Sequence, residues 1–238
     1  MSAIFKREFR AYFHSMIGFV FITAFLVIIN YFFVLNNLSV QYGRISDVFT
    51  MMLNVILFTV PILTMRVFSE DFKQKTDQLL LTAPVKLGNI VLGKFFAVLG
   101  VFALMLAFTL LWVLIIALFG QPYMAEIVGN YVGILLVAGV FISVGMFISS
   151  LTENQLIAAV VAYGVFFVLY IFNIIVLSMG PSFPSWALGL FSFLSVFFRF
   201  EVIAGGLLAL DDVVYYLSIT ALFLFLCCRV LEKKRWAG

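Results

Sequence analysis

FFAVLGVFALMLAFTLLWVLIIALF, residues 95–119, contains no Asp, Glu, Lys or Arg. A helix of about 20 apolar residues, rising 1.5 Å per residue, crosses a hydrocarbon core of roughly 30 Å. A charged side chain at its middle would cost about 2.5–3.5 kcal/mol on insertion scales. The stretch belongs to one of six uncharged runs, at 11–43, 48–65, 95–125, 127–152, 154–198 and 213–228. The spacing predicts an all-α polytopic membrane protein with six transmembrane helices, at 17–35, 47–65, 92–118, 128–149, 155–178 and 213–231, in a single domain over 1–238. Composition agrees: 65% of residues are hydrophobic and 11% charged, against about 25% charged in an ordinary soluble domain.

Charge placement sets the orientation. With the N-terminus in the cytosol, Lys6, Arg7, Arg10, Arg66, Lys73, Lys75, Lys86, Lys94, Arg229, Lys233, Lys234 and Arg235 lie inside, and only Arg44 and Arg199 lie outside. That asymmetry is the positive-inside pattern. It predicts a multi-pass protein with both termini cytosolic. The apolar run after Arg10 is too long for the core of a signal peptide and no small-x-small site follows it, so the N-terminal segment reads as uncleaved. Cys227 and Cys228 sit near the cytosolic end of the last span, where no disulfide is expected.

The charged segments carry the functional reading. In residues 1–16, Phe5, Phe9, Tyr12 and Met16 recur at helical spacing while Lys6, Arg7 and Arg10 occupy other faces. Such a helix lies in the headgroup plane. It reads as an interfacial elbow, or as a basic flank that only orients the first span. The largest cytosolic segment, 66–91, interleaves Arg66, Glu70, Asp71, Lys73, Lys75 and Asp77 with Phe68, Phe72, Leu79, Leu80 and Leu81 before Thr82-Ala83-Pro84 stops it. The residue before proline is pushed away from the helical region. A helix of about 15 residues there, part apolar and part charged, is suited to a groove in a soluble partner; the alternative is an ordinary charged loop. Residues 149–155 form a short turn in which Thr152 and Gln155 have capping-box spacing, flanking Glu153 and Asn154. It reads either as a tight polar turn or as a second docking contact.

Gly88-Asn-Ile-Val-Leu-Gly93-Lys94 imitates a phosphate-binding loop, but Phe95 stands where Ser or Thr would hold Mg²⁺ and no strand precedes it. Lys94 is expected to reach the interface by extending its stem. On the outer side, 179–212 contains Pro181, Pro184, Trp186, an apolar stretch too short to cross, and then Arg199, Glu201, Asp211 and Asp212. It is expected to form short re-entrant or interfacial helices between spans 5 and 6. Gly129, Gly133, Gly139, Ser143, Gly145 and Ser149 mark close helix packing, within the subunit or across a dimer. The spans hold no Asp, Glu or His that would couple to an ion gradient or serve a protease, so no catalytic, cofactor or metal residues are expected.

Arg66-x-Phe68-x-Glu70-Asp71-x-Lys73-x-x-Thr76, then Leu79-Leu80-Leu81-Thr82-x-Pro84 and Ile90-Val91-Leu92-Gly93-Lys94, resembles the first cytosolic loop of ABC-2 type transporter permeases. Ser150-Leu-Thr-Glu153-Asn-Gln155 resembles their second cytosolic turn, and Arg199-Phe200 through Asp211-x-Val213-x-Tyr215-Tyr216 their outer loop. The subgroup is similar to permeases of gliding motility and of copper/nitrous-oxide-reductase maturation. The resemblance implies the membrane subunit of an exporter in a prokaryotic inner membrane, paired with a second permease copy or paralogue and driven by two cytosolic ATPase subunits that hold ATP and Mg²⁺. Glu70, Asp71, Lys73, Thr76, Asp77, Leu80, Thr82 and Pro84 would form the main coupling helix, and Thr152, Glu153, Asn154 and Gln155 the minor contact. An extracytosolic accessory protein is a further candidate partner; no nucleic acid is expected. A non-transporting scaffold or mechanical coupler worked by the same ATPase is the alternative, and a passive channel is disfavoured by the absence of a charged ring. Two positions depart from the family: Lys75 stands where Gly is common, expected to straighten the coupling helix, and Gln78 where Glu is common.

Overall fold

The structure, a computed structural model, describes residues 2–14, 16–39, 45–76, 86–119, 123–178, 189, 195–207 and 209–237. All regular structure among them is helical. The helices are α1 (Ser2–His14), α2 (Met16–Phe33, continued by a π turn over Val34–Leu38), α3 (Ser46–Thr64), α4 (Ser69–Lys73), α5 (Leu87–Phe119), α6 (Met124–Leu151), α7 (Gln155–Ser178), α8 (Val196–Ala204) and α9 (Leu210–Ala237). Six are long and apolar enough to cross a membrane: Gly18–Leu38, Ser46–Lys73, Leu87–Leu118, Met124–Leu151, Gln155–Ile175 and Leu210–Arg235. The expected six spans are therefore present, each within a few residues of the sequence reading except that the second is extended by α4.

Helix α6 is the axis of the bundle. It packs against α3, α5, α7, α8 and α9, and most of its residues from Ile134 to Ser150 are buried. Its small residues make this possible. A Cβ built on Gly145 would overlap Thr64 Oγ1 and lie 2.9 Å from Thr64 Cβ, so α3 meets α6 there at nearly backbone distance. At Gly133 a Cβ would lie 2.8 Å from Ile203 Cγ2, and at Gly129 it would lie 3.4 Å from the Ile203 carbonyl, which is how the short α8 settles onto the same helix. Of the two packing roles left open for these glycines, both Gly133 and Gly145 serve the one within the subunit.

Aromatic rings fill the half of the bundle around α8. Trp112 stacks on Phe33 with ring centroids 4.9 Å apart, meets Phe49 edge-on at 6.3 Å, and donates its indole N–H to Asn30 Oδ1 at 2.8 Å. Phe49 continues to Tyr131 at 4.9 Å, and Phe141 bridges Phe166 and Phe197. These rings join α2, α3, α5, α6, α7 and α8, so part of the phenylalanine content is interior packing; Phe19, Phe58, Phe108, Phe167 and Phe225 face outward.

Three expectations about local structure are corrected. Helix α1 ends at His14, before Met16, and its aromatic face is not left to headgroups: Phe5 and Phe9 cover Gly100 of α5, where a Cβ would lie 3.4 Å from the Phe9 ring. The segment after Arg66 does not form a long helix over its first part, because α4 stops after five residues; α5 begins at Leu87, inside the expected 66–91 loop. The capping box across Thr152 and Gln155 does not form. Asn154 Oδ1 accepts the Leu156 N–H at 2.9 Å and caps α7, while Thr152 Oγ1 accepts the Asn154 N–H at 3.1 Å. Asn is a better cap than Thr, and it stands immediately before the first helical residue. Pro181, Pro184 and Trp186 lie outside the described residues; of the expected outer helices, α8 is described.

The α3–α6 contact gives a direct test. Gly145→Ala is expected to cost about 1–3 kcal/mol, the usual range for overpacking, read as a lower thermal-unfolding midpoint in detergent. Thr64→Ala in the same chain should restore part of the loss, because it removes the overlapping oxygen.

Candidate functional site: the α4 junction

Helix α4 follows α3 after a four-residue turn, and the elements around it supply what it lacks. Its first residues have no side-chain cap of their own. Ser149, near the end of α6, provides one from across the bundle: its Oγ accepts the N–H groups of Phe68 and Ser69 at 3.1 and 3.2 Å and donates to the Met65 carbonyl at 2.9 Å. Initial helix N–H groups have no partner within the helix, so this one hydroxyl joins α4 to α6.

Lys94 is the second tie, and here the expectation of a snorkelling lysine is overturned. Its side chain is 1% exposed. Nζ lies 2.7 Å from the Val67 carbonyl, 2.8 Å from Asp71 Oδ2 and 3.1 Å from Glu8 Oε1, with the Phe68 ring centroid at 5.3 Å. An ammonium has three N–H donors, and three acceptors surround it. Arg7 pairs with Glu8 at 2.5 Å, so two cations and two carboxylates balance. The cluster brings together α1, α4 and α5. Gly88 and Gly93 of the phosphate-loop look-alike lie inside helix α5, with Lys94 pointing into protein.

Two more contacts close the junction. Tyr12 of α1 donates its hydroxyl to the Leu63 carbonyl at 2.9 Å, with the Arg66 guanidinium 4.7 Å from its ring centre. Burial pushes this phenol's pKa up, so the hydroxyl keeps the proton it donates. From the end of α9, Lys234 Nζ lies 3.4 Å from the Phe72 ring centroid, a cation–π contact.

The end of α4 corrects the Lys75 expectation. The Lys75 N–H donates to the Phe72 carbonyl at 3.1 Å and the Thr76 N–H to the Asp71 carbonyl at 3.0 Å. This is the Schellman pair that closes a helix, with the residue at the bend in the left-handed region. Lys75 occupies that position with φ 56°. The helix is therefore not straightened: the backbone turns as it would with Gly, and the lysine bears the steric cost, about 1–2 kcal/mol.

The predicted site residues consequently divide. Asp71 faces inward to Lys94 and also accepts from Thr76 Oγ1 at 3.1 Å; both belong to the junction's own framework. Lys73, Gln74 and Lys75 are exposed and Glu70 is half-buried, which gives α4 an outer face. Helix α4 packs on both α6 and α7, the helices that flank Thr152, Glu153 and Asn154. The two predicted contact segments therefore meet at one end of the bundle, with Glu153 and Asn154 exposed and Thr152 and Gln155 half-buried. On α1, Lys6, Arg7 and Arg10 are exposed, while Phe5 and Phe9 pack inward. Asp77, Leu80, Thr82 and Pro84 lie outside the described residues. Reading the sequence missed Ser149 and Glu8 as joining residues; a lysine after seven uncharged residues of the same helix, preceding a 31-residue uncharged run, was the signal available for Lys94.

The opposite end of the bundle holds a second charged cluster. Arg199 of α8 pairs with Asp212 of α9 at 2.5 Å, with Asp211 at 3.7 Å, and its guanidinium lies 4.4 Å from the Tyr215 ring centre. Ser195 caps α8 and donates to Asn173 Oδ1 at 3.0 Å, and Tyr216 donates to the Val196 carbonyl at 2.7 Å. At the other end of α8, the Ala204 carbonyl accepts from Ser46 Oγ at 2.7 Å and Asn130 Nδ2 at 3.2 Å. The short helix is fixed at both ends.

Six helices long and apolar enough to cross a membrane, with a short charged helix tied at one end, give the chain the form of a polytopic membrane protein. The sequence matches the ABC-2 family transporter proteins over residues 4–236, and the chain belongs to that family. It is a multi-pass membrane protein of the permease type, whose family works with ABC ATPase subunits. No curated protein matches it.

Two substitutions separate the contributions at this site. Lys94→Met leaves Glu8 and Asp71 facing one another without their cation and is expected to cost about 3–5 kcal/mol, measured as thermal unfolding in detergent. Lys75→Gly is expected to stabilise by about 1 kcal/mol, because glycine adopts the left-handed conformation without the steric cost.

Proposed function

We propose that this chain is the membrane-spanning subunit of an ATP-binding-cassette exporter, in which two cytosolic ATPase subunits grip α4 and the 152–154 turn. The observation that carries this reading is the two-sided character of α4. Its inner side is fastened to α1 and α5 through Lys94, to α6 through Ser149 and to α9 through Lys234. Its outer side presents Glu70, Lys73, Gln74 and Lys75. A helix of five residues has too little surface to be stable alone; the bundle holds it as a handle.

In this reading the α1/α4 end faces the cytosol of a prokaryotic cell; the one-sided distribution of lysine and arginine supports that orientation. ATP binding draws the two ATPases together, they displace α4, and the ties through Lys94, Ser149 and Lys234 carry the displacement into four other helices. The spans pivot and open a path toward the α8 end. Export is the direction the family resemblance implies. Helix α1 is the elbow that follows α4 through Glu8, and energy comes from the partner, because the phosphate-loop look-alike in this chain is helical.

Membranes from cells expressing the chain at native level should yield it together with an ATPase; repeated purification without one ends this reading. Glu70→Lys combined with Lys73→Glu is expected to lower the co-purified ATPase activity several-fold while leaving the thermal midpoint unchanged, because neither side chain touches the Lys94 cluster.

A further inference from the structure

We infer that the cleft between the start of α5 and the end of α9 holds the headgroup of an anionic phospholipid, with Lys86 and Arg235 on its phosphate. This adds a ligand beside the α4 junction. It rests on the reading of that end as a membrane face and stands apart from whether an ATPase docks there.

A cavity of about 650 Å³ opens at this place, lined by Lys86, Leu87, Gly88, Cys228, Glu232 and Arg235. Its charges do not balance. Glu232 already pairs with Arg229 at 2.8 Å, whereas neither Lys86 nor Arg235 meets a carboxylate among the described residues. Two cations from separate stretches of chain therefore share one cavity with no protein carboxylate left to neutralise them. Gly88 keeps the cavity open, since a Cβ built there meets nothing within 4 Å.

The cavity lies where two spans pass from hydrocarbon to water. The charge-free stretch of α9 ends at Cys228, with Arg229 next, and that of α5 begins only after Lys94. Helix α5 starts at Leu87, so about 12 Å of it, at 1.5 Å per residue, precedes the charge-free stretch. Lys86 is thereby held at headgroup depth. From the cavity two apolar tracks run into the membrane. On α5, Gly88, Leu92 and Phe96 follow at steps of four, and on α9, Cys228, Phe225 and Leu222 follow at steps of three, so each set lies on one side of its helix. Phe96, Phe225 and Leu222 are 42%, 53% and 55% exposed; Leu92 and Cys228 are half-buried.

The ligand follows from this shape. It must carry negative oxygens at one end and hydrocarbon at the other. The phosphodiester of an anionic phospholipid accepts hydrogen bonds from both cations, and basic side chains at the cytosolic surface attract such lipids. Its acyl chains lie along the two tracks. A zwitterionic lipid brings a further cation to a cavity already in positive excess. Arg235 directly follows Lys234, whose ammonium lies 3.4 Å from the Phe72 ring centroid of α4. A headgroup held by Arg235 steadies the end of α9 that fastens α4, so the lipid acts on the junction.

The test uses the full chain, purified without an ATPase and stripped of lipid, titrated in detergent and read by native mass spectrometry. Phosphatidylglycerol is expected to bind at one saturable site, and phosphatidylcholine several-fold more weakly. Lys86→Ala combined with Arg235→Ala should weaken phosphatidylglycerol roughly 10- to 30-fold, the loss expected for two basic side chains at an anionic lipid. Gly88→Leu should also weaken it several-fold by filling the cavity, with all charges kept and the thermal midpoint unchanged. Lys6→Ala combined with Arg10→Ala, an equal loss of charge on the exposed face of α1, should leave the affinity as it was. No saturable site, equal affinity for the two lipids, unchanged affinity in both cavity variants, or an equal loss in the α1 variant overturns the proposal. So does displacement of the lipid by glycerol 3-phosphate at similar concentration, which would make this a site for soluble phosphates. Because capture of an ATPase is scored separately, either reading can fail while the other stands.

Discussion

A buried ammonium must find three acceptors or be expelled toward water, and the rest of the α1/α4 end is arranged around meeting that demand for Lys94. The three acceptors come from three stretches of chain: a carbonyl in the turn after α3, a carboxylate on α4 and a carboxylate on α1. None of these stretches packs by hydrophobic burial alone. Helix α1 is short and half-polar, α4 is a single turn and a half, and the link between α3 and α4 is a turn. Their mutual placement therefore rests on polar ties, the three at Lys94 beside those of Ser149, Tyr12 and Lys234, which explains how such small elements hold a fixed position beneath a bundle of much longer helices.

The same logic recurs at the far end with the signs placed differently. Arg199 on the short α8 meets Asp212 at the start of α9, where carboxylates in the first turn also suit the helix dipole. Between the two clusters the spans carry no ion pairs among the described residues, and cohesion comes from glycine-permitted approach along α6 and from interlocked rings around Trp112 and Phe141. Ion-pair fastening is placed at the ends, and packing with single hydrogen bonds such as Trp112 to Asn30 and Tyr163 to the Phe58 carbonyl holds the middle. A bilayer imposes this division, since charge is costly at its centre and tolerated at its faces.

Most of the bundle was legible in the sequence because lipid imposes a simple rule, the absence of charge over about 20 residues. The positions of Gly133 and Gly145 signalled close approach, though not the partners Ile203 and Thr64. What could not be read were ties between residues distant in the chain. Lys94 and Glu8 are separated by the first two spans, and Ser149 reaches the backbone N–H of Phe68 from the end of α6; no periodicity connects them. The capping error has a local cause: Thr152 and Asn154 both suit a helix start, and spacing alone favoured the wrong one. Lys75 is instructive in another way. The substitution at a glycine position predicted a changed backbone, but the closing hydrogen bonds around Phe72 and Asp71 held the turn and transferred the cost to the side chain.

These attachments are unequal among the helices, and the inequality bears on how force would travel. On the proposed reading, a displacement of α4 enters α1, α5, α6 and α9 through direct polar contacts. Helix α7 has no such tie to α4. It joins α3 through one hydrogen bond, from the Tyr163 hydroxyl to the Phe58 carbonyl at 2.7 Å, and joins the short α8 through Asn173. That bond to α3 falls beside Pro61, which cannot donate to the carbonyl four residues earlier and so leaves the helix ladder weakened at Leu57. Helix α3 is thus most easily bent at the level where α7 is attached, and α7 meets α4 by packing without a polar tie. A stroke applied at α4 would move the fastened helices together, and α3 would yield where Pro61 weakens its ladder.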